Sequence, residues 1–312
     1  MLLNTIIAKF LGKTINWLHR VSFLFEAERG LTDWPKYDLL ERRDEEEERG
    51  MERFALAREL VLQAGAALRE SHLEAGEIQH KTGYQDLVTR WDKETEQFLR
   101  RGILKVFPQD TIVGEEYPAS NGETDGCVWY LDPIDGTTNF VSQHRNYAVS
   151  VGCWRGEEPL FGLVLDVERP ALYWAEAGGG AFRDETPIHT SRRRDLRELL
   201  LTTPGVPNTF LKPHDRQEAL LRLAREVRGV RSLGSVALEL CALAAGEADL
   251  FVAMRSCPWD HNAARIILAE AGGALCTLEG EPLPMEARTT ILAANDQAVL
   301  QRVREQYLAE PS

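Results

Sequence analysis

The chain has 312 residues, 44% hydrophobic and 27% charged, with a formal net charge of −13 and a pI near 5.1. That is enough chain for one large core or two closely packed ones, and its acidity excludes the basic stripe a nucleic-acid polymer demands, so an anionic ligand needs a bridging cation. No apolar run reaches the roughly 20 residues of a membrane-spanning helix, no signal-like cleavage region follows the apolar N-terminus, and five cysteines without a CxxC pair point to a reducing cytoplasm.

In chain order, the first fifty residues stand apart as an N-terminal extension, residues 1–50, ahead of a second domain at 51–312. Leu3, Ile7, Phe10, Leu11, Trp17, Leu18 and Val21 recur at helical spacing with Lys9, Lys13 and Arg20 between them, which predicts a short amphipathic helix. It reads as a partner or membrane-surface helix, as an accessory helix on its own domain, or as translated sequence ahead of a start at Met51. The run ERRDEEEE at 41–48 is a solvated linker or helix face, and its acidity makes membrane contact unfavourable. From Met51, Phe54, Leu56, Leu60, Val61, Ala64 and Leu68 share a helical side, so a compact domain begins here. A second helix is predicted over residues 92–107.

Between residues 125 and 180 the pattern changes to short apolar runs, CVWYLD, YAVSVGCW, LFGLVLDV and ALYWAEA, broken by Gly, Pro and Asn: successive strands of a sheet. Residues 199–203 give another strand, 217–228 a helix, 235–245 a buried Ala/Leu-rich helix, and ADLFVAM a strand. A helix over 262–271 stops at Gly272 and Gly273.

The nine residues 132–140, DPIDGTTNF, follow the apolar CVWYL. Pro133 removes a backbone donor, so Asp132 and Asp135 are expected on a rigid turn at the strand's end instead of in a continuing ladder. Two such carboxylates suit a hard cation, and magnesium above all. Gly136, Thr137, Thr138 and Asn139 come next, where backbone N–H groups at a helix entry can receive an anion. DPIDG alone is also an ordinary turn. Further acids stand beside other turns: Glu115 and Glu116 after the strand-like TIV, Asp260 just before the alanine-rich helix, where alone it reads as a cap before a ligand, and Asp86 and Asp92 with Lys81 in KTGYQDLVTRWD. Seven acids so placed repel one another unless cations fill the site. His261 and the remaining histidines lack metal-ligand spacing and read as structural.

These segments together, KTGYQDLVTRWD at 81–92, GEE at 114–116, DPIDGTTNF at 132–140, RSLGS at 231–235 and WD at 259–260, resemble the inositol monophosphatase family of magnesium-dependent, lithium-sensitive phosphatases. The resemblance covers roughly residues 51–298. It implies a layered α/β fold, an alternating α-β-α-β-α sandwich, and a phosphomonoesterase that holds two or three Mg2+ ions. By resemblance, Glu115, Asp132 and the Ile134 carbonyl hold one ion, and Asp132, Asp135 and Asp260 a second. Water on the first ion attacks phosphorus in line, helped by Thr137 paired with Asp92, so that Thr137, Asp92 and Glu115 are the catalytic set. Asp135, Gly136, Thr137, Gly234, Ser235 and Asp260 bind substrate, while Asp86, Glu116 and Lys81 support the metal shell.

The substrate implied first is of the inositol 1-phosphate type. Two positions depart from inositol-hydrolysing relatives: Ala253 where they carry a glutamate that contacts ring hydroxyls, and Val236 where the family has a small alanine. Arg255 is placed to reach a second anionic group, so fructose 1,6-bisphosphate, histidinol phosphate and 3′-phosphoadenosine 5′-phosphate stay open as substrates. A reading from another class is a catalytically weak regulatory or interaction protein, against which stand the complete ligand set and the Thr137/Asp92 pair. The resemblance also implies a homodimer.

Overall fold

The computed structural model describes residues 35–71, 79–80, 87–120, 122 and 126–308, with side chains from residue 49 onward except at residue 80. The amphipathic segment read near the N-terminus and the candidates Lys81 and Asp86 lie outside the described residues. The chain forms two compact units, Met1–Met51 and Glu52–Ser312; the second carries the candidate site.

Helix α1 (Pro35–Arg69) takes in the acidic run 41–48. Its later part buries the stripe Ala57, Leu60, Val61, Ala64 and Leu68, the i, i+3, i+4 spacing that puts one helix face on a sheet. A minimal hairpin, β1 (Gln79–His80) and β2 (Leu87–Val88), leads into α2 (Arg90–Val106). A seven-stranded sheet follows in sequence order: β3 (Thr111–Gly114), β4 (Val128–Asp135), β5 (Ala148–Arg155), β6 (Glu158–Asp166), β7 (Ala171–Glu176), β8 (Ala181–Arg183) and β9 (Thr186–Ile188). Only β3 and β4 pair parallel; the other neighbours are antiparallel. Helix α3 (Thr137–Gln143) links β4 to β5.

The second sheet has five strands in the order β11, β10, β12, β14, β13. They are β10 (Leu200–Thr202), β11 (Gly229–Arg231), β12 (Leu250–Ser256), β13 (Ala274–Cys276) and β14 (Thr289–Ala294). The helices around it are α4 (Gln217–Glu226), α5 (Val236–Ala244), α6 (Pro258–Glu270) and α7 (Gln297–Val303).

Strand alternation sorts the side chains into layers. Trp129 and Leu131 of β4, with Val149, Val151, Leu163 and Leu165, pack on α1 and α2. Tyr130, Ala148 and Val164, on the opposite face, pack on α5 and α6. Those two helices are covered from the far side by Phe251, Ala253, Ile291 and Ala293. The outer face of the second sheet, Leu250, Val252 and Leu292, packs with residues of α4 and α7. The expected α-β-α-β-α sandwich is therefore present, and each fully buried Leu, Ile or Phe contributes about 1.5–3 kcal/mol to it.

Two contacts fix where the site's elements lie. Gly152 of β5 and Gly162 of β6 are register partners, and α6 lies directly on them. A Cβ on Gly162 would sit 2.2 Å from the Ala263 carbonyl oxygen, and one on Gly152 would sit 2.9 Å from the Ala263 nitrogen. On the opposite face, Arg53 of α1 donates Nε and Nη2 to Asp110 at 2.8 and 2.9 Å. Asp110 also accepts Trp129 Nε1–H at 2.8 Å, which ties α1 to the entry of β3 and to β4.

Two sequence expectations are corrected. Pro133 does not end the ladder: β4 pairs with β5 as far as Asp135↔Ala148, with one extra residue accommodated between Asp132 and Asp135. Because proline cannot donate to a ladder, the strand bulges there instead of stopping. The last site helix starts at Pro258, not near residue 262, so Asp260 lies inside its first turn, with Cys257 as N-cap. Proline at the first helical position explains the earlier start, since its missing N–H has no intrahelical partner to lose.

Candidate active site

The candidate residues gather where the bulged end of β4 meets the first turns of α2, α3, α5 and α6. Asp132 and Asp135 flank the bulge and are almost fully buried, at 2% and 7% exposure. The Ile134 N–H donates to Asp132 Oδ1 at 3.1 Å. Asp135 is held from the helix layer between the sheets: Ser235 Oγ and the Ala237 N–H both donate to Oδ2 at 2.6 Å, and the Val236 N–H reaches Oδ1 at 3.3 Å. The carboxylate thus sits on the N-terminus of α5, where unpaired N–H groups favour negative charge. Ser235, the N-cap of that helix, also accepts the Leu238 N–H.

Gly136 takes φ of +98° and opens α3, a conformation that glycine adopts without strain. A Cβ there would also press on the carbonyls of Asn146 and Gly234, at 3.1 and 3.3 Å. Thr137 follows, its hydroxyl 3.0 Å from Asp92 Oδ1 and 3.2 Å from the Ile134 carbonyl. Asp92, fully buried in the first turn of α2, accepts the Thr89 N–H and hydroxyl on its other oxygen, both at 2.7 Å. Asp260 is partly buried in the first turn of α6 and accepts the Cys257 N–H at 2.7 Å.

These acids lie within reach of one another's charge. Burial raises Asp132 well above the usual carboxylate range, and the charges of Glu115, Asp135, Asp260 and Asp92 push the same way. Burial pushes Asp135 up to about 6, against the hydrogen bonds from Ser235, Ala237 and Val236, with Glu115 adding to the rise. Asp260 is raised well above its ordinary value by burial and then by Asp135 and Glu115. Asp92 is raised by burial, a rise opposed by its bonds from Thr89. Among the described residues no lysine or arginine forms an ion pair with Asp92, Asp132, Asp135 or Asp260.

Buried acids crowded together and offering only oxygen donors are the donor set a hard divalent ion requires, and such an ion would relieve the mutual repulsion that adds to burial in raising them. Among the described residues, no three Asp, Glu, His or Cys side chains already stand grouped as a cage. Asp135 is turned to Ser235 and α5, and Asp260 to the Cys257 N–H, an arrangement that limits direct contact between like charges.

Sequence reasoning missed Glu239 and Glu96 in the site's walls, and took Asn139 only for its place at the helix entry. Glu239, fully buried in the apolar run VALELCALA, accepts the N–H groups of Leu233 and Gly234 at 2.7 and 3.1 Å. Burial pushes it up to about 7. Asn139 donates to the Asn146 and Leu233 carbonyls. Glu96 accepts the Glu116 N–H at 2.6 Å. A lone acid in an apolar helix, and an acid four residues after Asp92, were the signals available. The Gly234 N–H and the Ser235 hydroxyl, both expected to meet substrate, are engaged here in holding Glu239 and Asp135.

Beside the turn at residues 233–235 opens a cavity of about 640 Å³ lined in part by Thr138, Asn139, Arg145, Asn208, Ser232 and Gly234. That is the size range of small-molecule sites. Ala253 is buried in the core between the sheets, whereas Arg255 is exposed on β12.

A family model described as the inositol monophosphatase family matches residues 51–309. The chain is 39% identical over 256 residues to the inositol-1-monophosphatase of Bacillus subtilis, covering 81% of this chain and 95% of that protein. Among solved structures, inositol monophosphatase-II of Staphylococcus aureus superposes with a TM-score of 0.73 at 34% identity, covering 82% of this chain and 92% of that one. SaIMPase-II bound to inositol monophosphate superposes with a TM-score of 0.70 at 31% identity, covering 82% and 93%.

Proposed function

Because this chain belongs to the inositol monophosphatase family, whose named relatives are phosphoric monoester hydrolases, we propose that it is a magnesium-dependent phosphatase. Its substrate is a small phosphorylated alcohol, with inositol 1-phosphate first among the candidates. The observation that carries this reading is the 3.0 Å hydrogen bond from Thr137 to Asp92, made beside the buried acid cluster around Asp132.

Glu115, Asp132 and the Ile134 carbonyl would hold one magnesium ion, and Asp132, Asp135 and Asp260 a second. Bound there, the ions would neutralise phosphoryl charge, lower the pKa of water and stabilise the leaving alkoxide. With its proton directed at Asp92, the Thr137 hydroxyl keeps its lone pairs for the proton of an attacking water. Asp92, raised by burial, is a stronger base than an exposed aspartate and can take that proton through Thr137. The backbone at Gly136 and Thr137, at the start of α3, receives the phosphate oxygens.

The leaving alcohol fits the adjoining cavity, where Asn208 and Ser232 offer hydroxyl partners. With Ala253 buried, this chain reads a polyol ring without the glutamate that inositol-hydrolysing relatives carry. Arg145 on the cavity wall favours a second reading, in which the substrate carries a further anionic group, as in a sugar or nucleotide bisphosphate. A cytoplasmic homodimer inhibited by lithium completes the proposal; light scattering and lithium titration test it.

The deciding experiment is magnesium-dependent phosphate release by wild type and Asp132→Asn. The panel is inositol 1-phosphate, fructose 1,6-bisphosphate, histidinol phosphate and 3′-phosphoadenosine 5′-phosphate. Release of phosphate by wild type alone supports the reading. No release from any substrate by a protein that binds magnesium overturns it in favour of a regulatory role.

A further inference from the structure

Helix α2 presents one polar stripe to the site. Asp92, Glu96 and Arg100 recur at i, i+4 and i+8, and therefore lie one above another on one helix face. Each holds a different part of the surroundings. Asp92 takes the Thr137 hydroxyl. Glu96, with no exposed surface, takes the Glu116 N–H at 2.6 Å. Arg100 donates to Glu96 Oε1 at 3.0 Å and to the Pro118 carbonyl at 2.8 Å.

Gly114 closes the other side of this contact. A Cβ there would fall 2.3 Å from Glu96 Oε1 and 2.5 Å from its carboxyl carbon. The Glu96 carboxylate therefore grips the main chain on both sides of Glu115, by close approach at residue 114 and by a hydrogen bond at residue 116. Burying a carboxylate costs several kcal/mol unless it is paired and bonded. Here the pairing with Arg100 and the bond from Glu116 supply that compensation, and both serve to fix one short turn.

We propose that Glu96 is a positioning residue that holds Glu115 at the Asp132 cluster, with Arg100 fixing the Glu96 carboxylate and Gly114 admitting it. The proposal rests on the reading of Glu115 as a metal ligand. One rigid helix then sets both halves of the chemistry, Thr137 through Asp92 and Glu115 through Glu96. Neither half can drift without the other.

The test is magnesium binding to metal-free protein by calorimetry, alongside the thermal midpoint without metal, for wild type, Glu96→Ala, Glu96→Gln and Gly114→Ala. Removing a group that orients a metal ligand weakens affinity by about 10–100-fold. Glu96→Ala is expected to lose magnesium affinity in that range and to shift the magnesium half-saturation of phosphate release equally, with substrate KM at saturating magnesium unchanged. Glu96→Gln keeps an acceptor for the Glu116 N–H and is expected to recover much of the loss. Gly114→Ala, which displaces the same carboxylate, carries the same expectation should Glu96→Ala fail to fold.

A Glu96→Ala protein with a lowered thermal midpoint but wild-type magnesium affinity overturns the proposal. So does wild-type protein that binds no magnesium. If wild type binds magnesium but hydrolyses none of the panel, the phosphatase reading fails, and the binding comparison still decides whether Glu96 positions Glu115.

Discussion

Asp132→Asn separates stability from function, because it removes a buried charge that Glu115, Asp135, Asp260 and Asp92 all oppose. At pH 7.5 without metal, the native state either ionises a buried carboxylate or protonates it. The cost cannot exceed that of protonation, about 5 kcal/mol for a group with an unfolded pKa near 3.9, at about 1.4 kcal/mol per pH unit. Asparagine removes that cost and keeps an oxygen for the Ile134 N–H, losing about 1 kcal/mol of charge assistance. The net gain is therefore at most about 4 kcal/mol, or at most roughly 8–16 °C in Tm at the roughly 2–4 °C per kcal/mol of a domain of this size. The gain should shrink toward pH 4, where the native carboxyl is already neutral and the unfolded one is about half protonated. Magnesium should raise the wild-type Tm and leave that of the variant almost unmoved, and phosphate release should fall by more than about a hundredfold. Scanning calorimetry at pH 4.5 and 7.5, with and without magnesium, reads all of this. A metal-free variant less stable than wild type at pH 7.5, or one still stabilised by magnesium, refutes the reasoning.

Thr137→Ala should lower kcat by about 10²–10⁴-fold while Thr137→Ser retains most of it, since the relay to Asp92 needs a hydroxyl and not a methyl; steady-state phosphate release distinguishes them. Arg53→Met leaves Asp110 buried with only Trp129 and Cys127 as donors and should cost about 3–5 kcal/mol in urea unfolding, with Asp110→Asn recovering part of it. For the metal-free protein, Asp135 at about 6 and Glu239 at about 7 titrate above their unfolded values. Their stabilising contribution is full below about pH 4 and is lost as the pH rises through 6 and 7. Tm should accordingly fall from pH 5 to pH 8 without metal and fall less with saturating magnesium, as thermal scans across that range will show.

The sequence made the motif-bearing turns legible because their chemistry is local. The carboxylates of DPIDG, the glycine that opens α3 and the acids after TIV each show in a few neighbouring residues, although Ser235 and Glu96 arrive from far along the chain to hold their turns. Periodicity made the longer elements readable, β3–β7, β10, β12, α1, α2 and α4–α6, down to Ser235 at the head of a buried helix, but gave no sign of β8, β9, β11, β13, β14 or α7. What stayed hidden depends on tertiary contact. Glu239 gives only an odd acid in an apolar helix, and its bonds to Leu233 and Gly234 exist only once α5 packs behind that turn. Arg53 looks like one more charged residue on a helix until Asp110 arrives from 57 positions away. Pro133 misled for a physical reason: lack of an N–H forbids one ladder bond but not the strand, and a single bulge absorbs the fault.

The contact of α6 with Gly152 and Gly162 bears on how such an enzyme can diverge. Main chain rests on main chain there, so the separation of Asp260 from the β4 bulge is set by atoms every sequence possesses and not by the bulk of any side chain. Core residues elsewhere can be exchanged, and the cavity that reads the leaving alcohol can be reshaped, without moving the carboxylate at the head of α6. Any side chain at either glycine would lift that helix off the sheet. Substrate preference is thereby free to drift across descendants, while the spacing on which the chemistry depends is inherited unchanged.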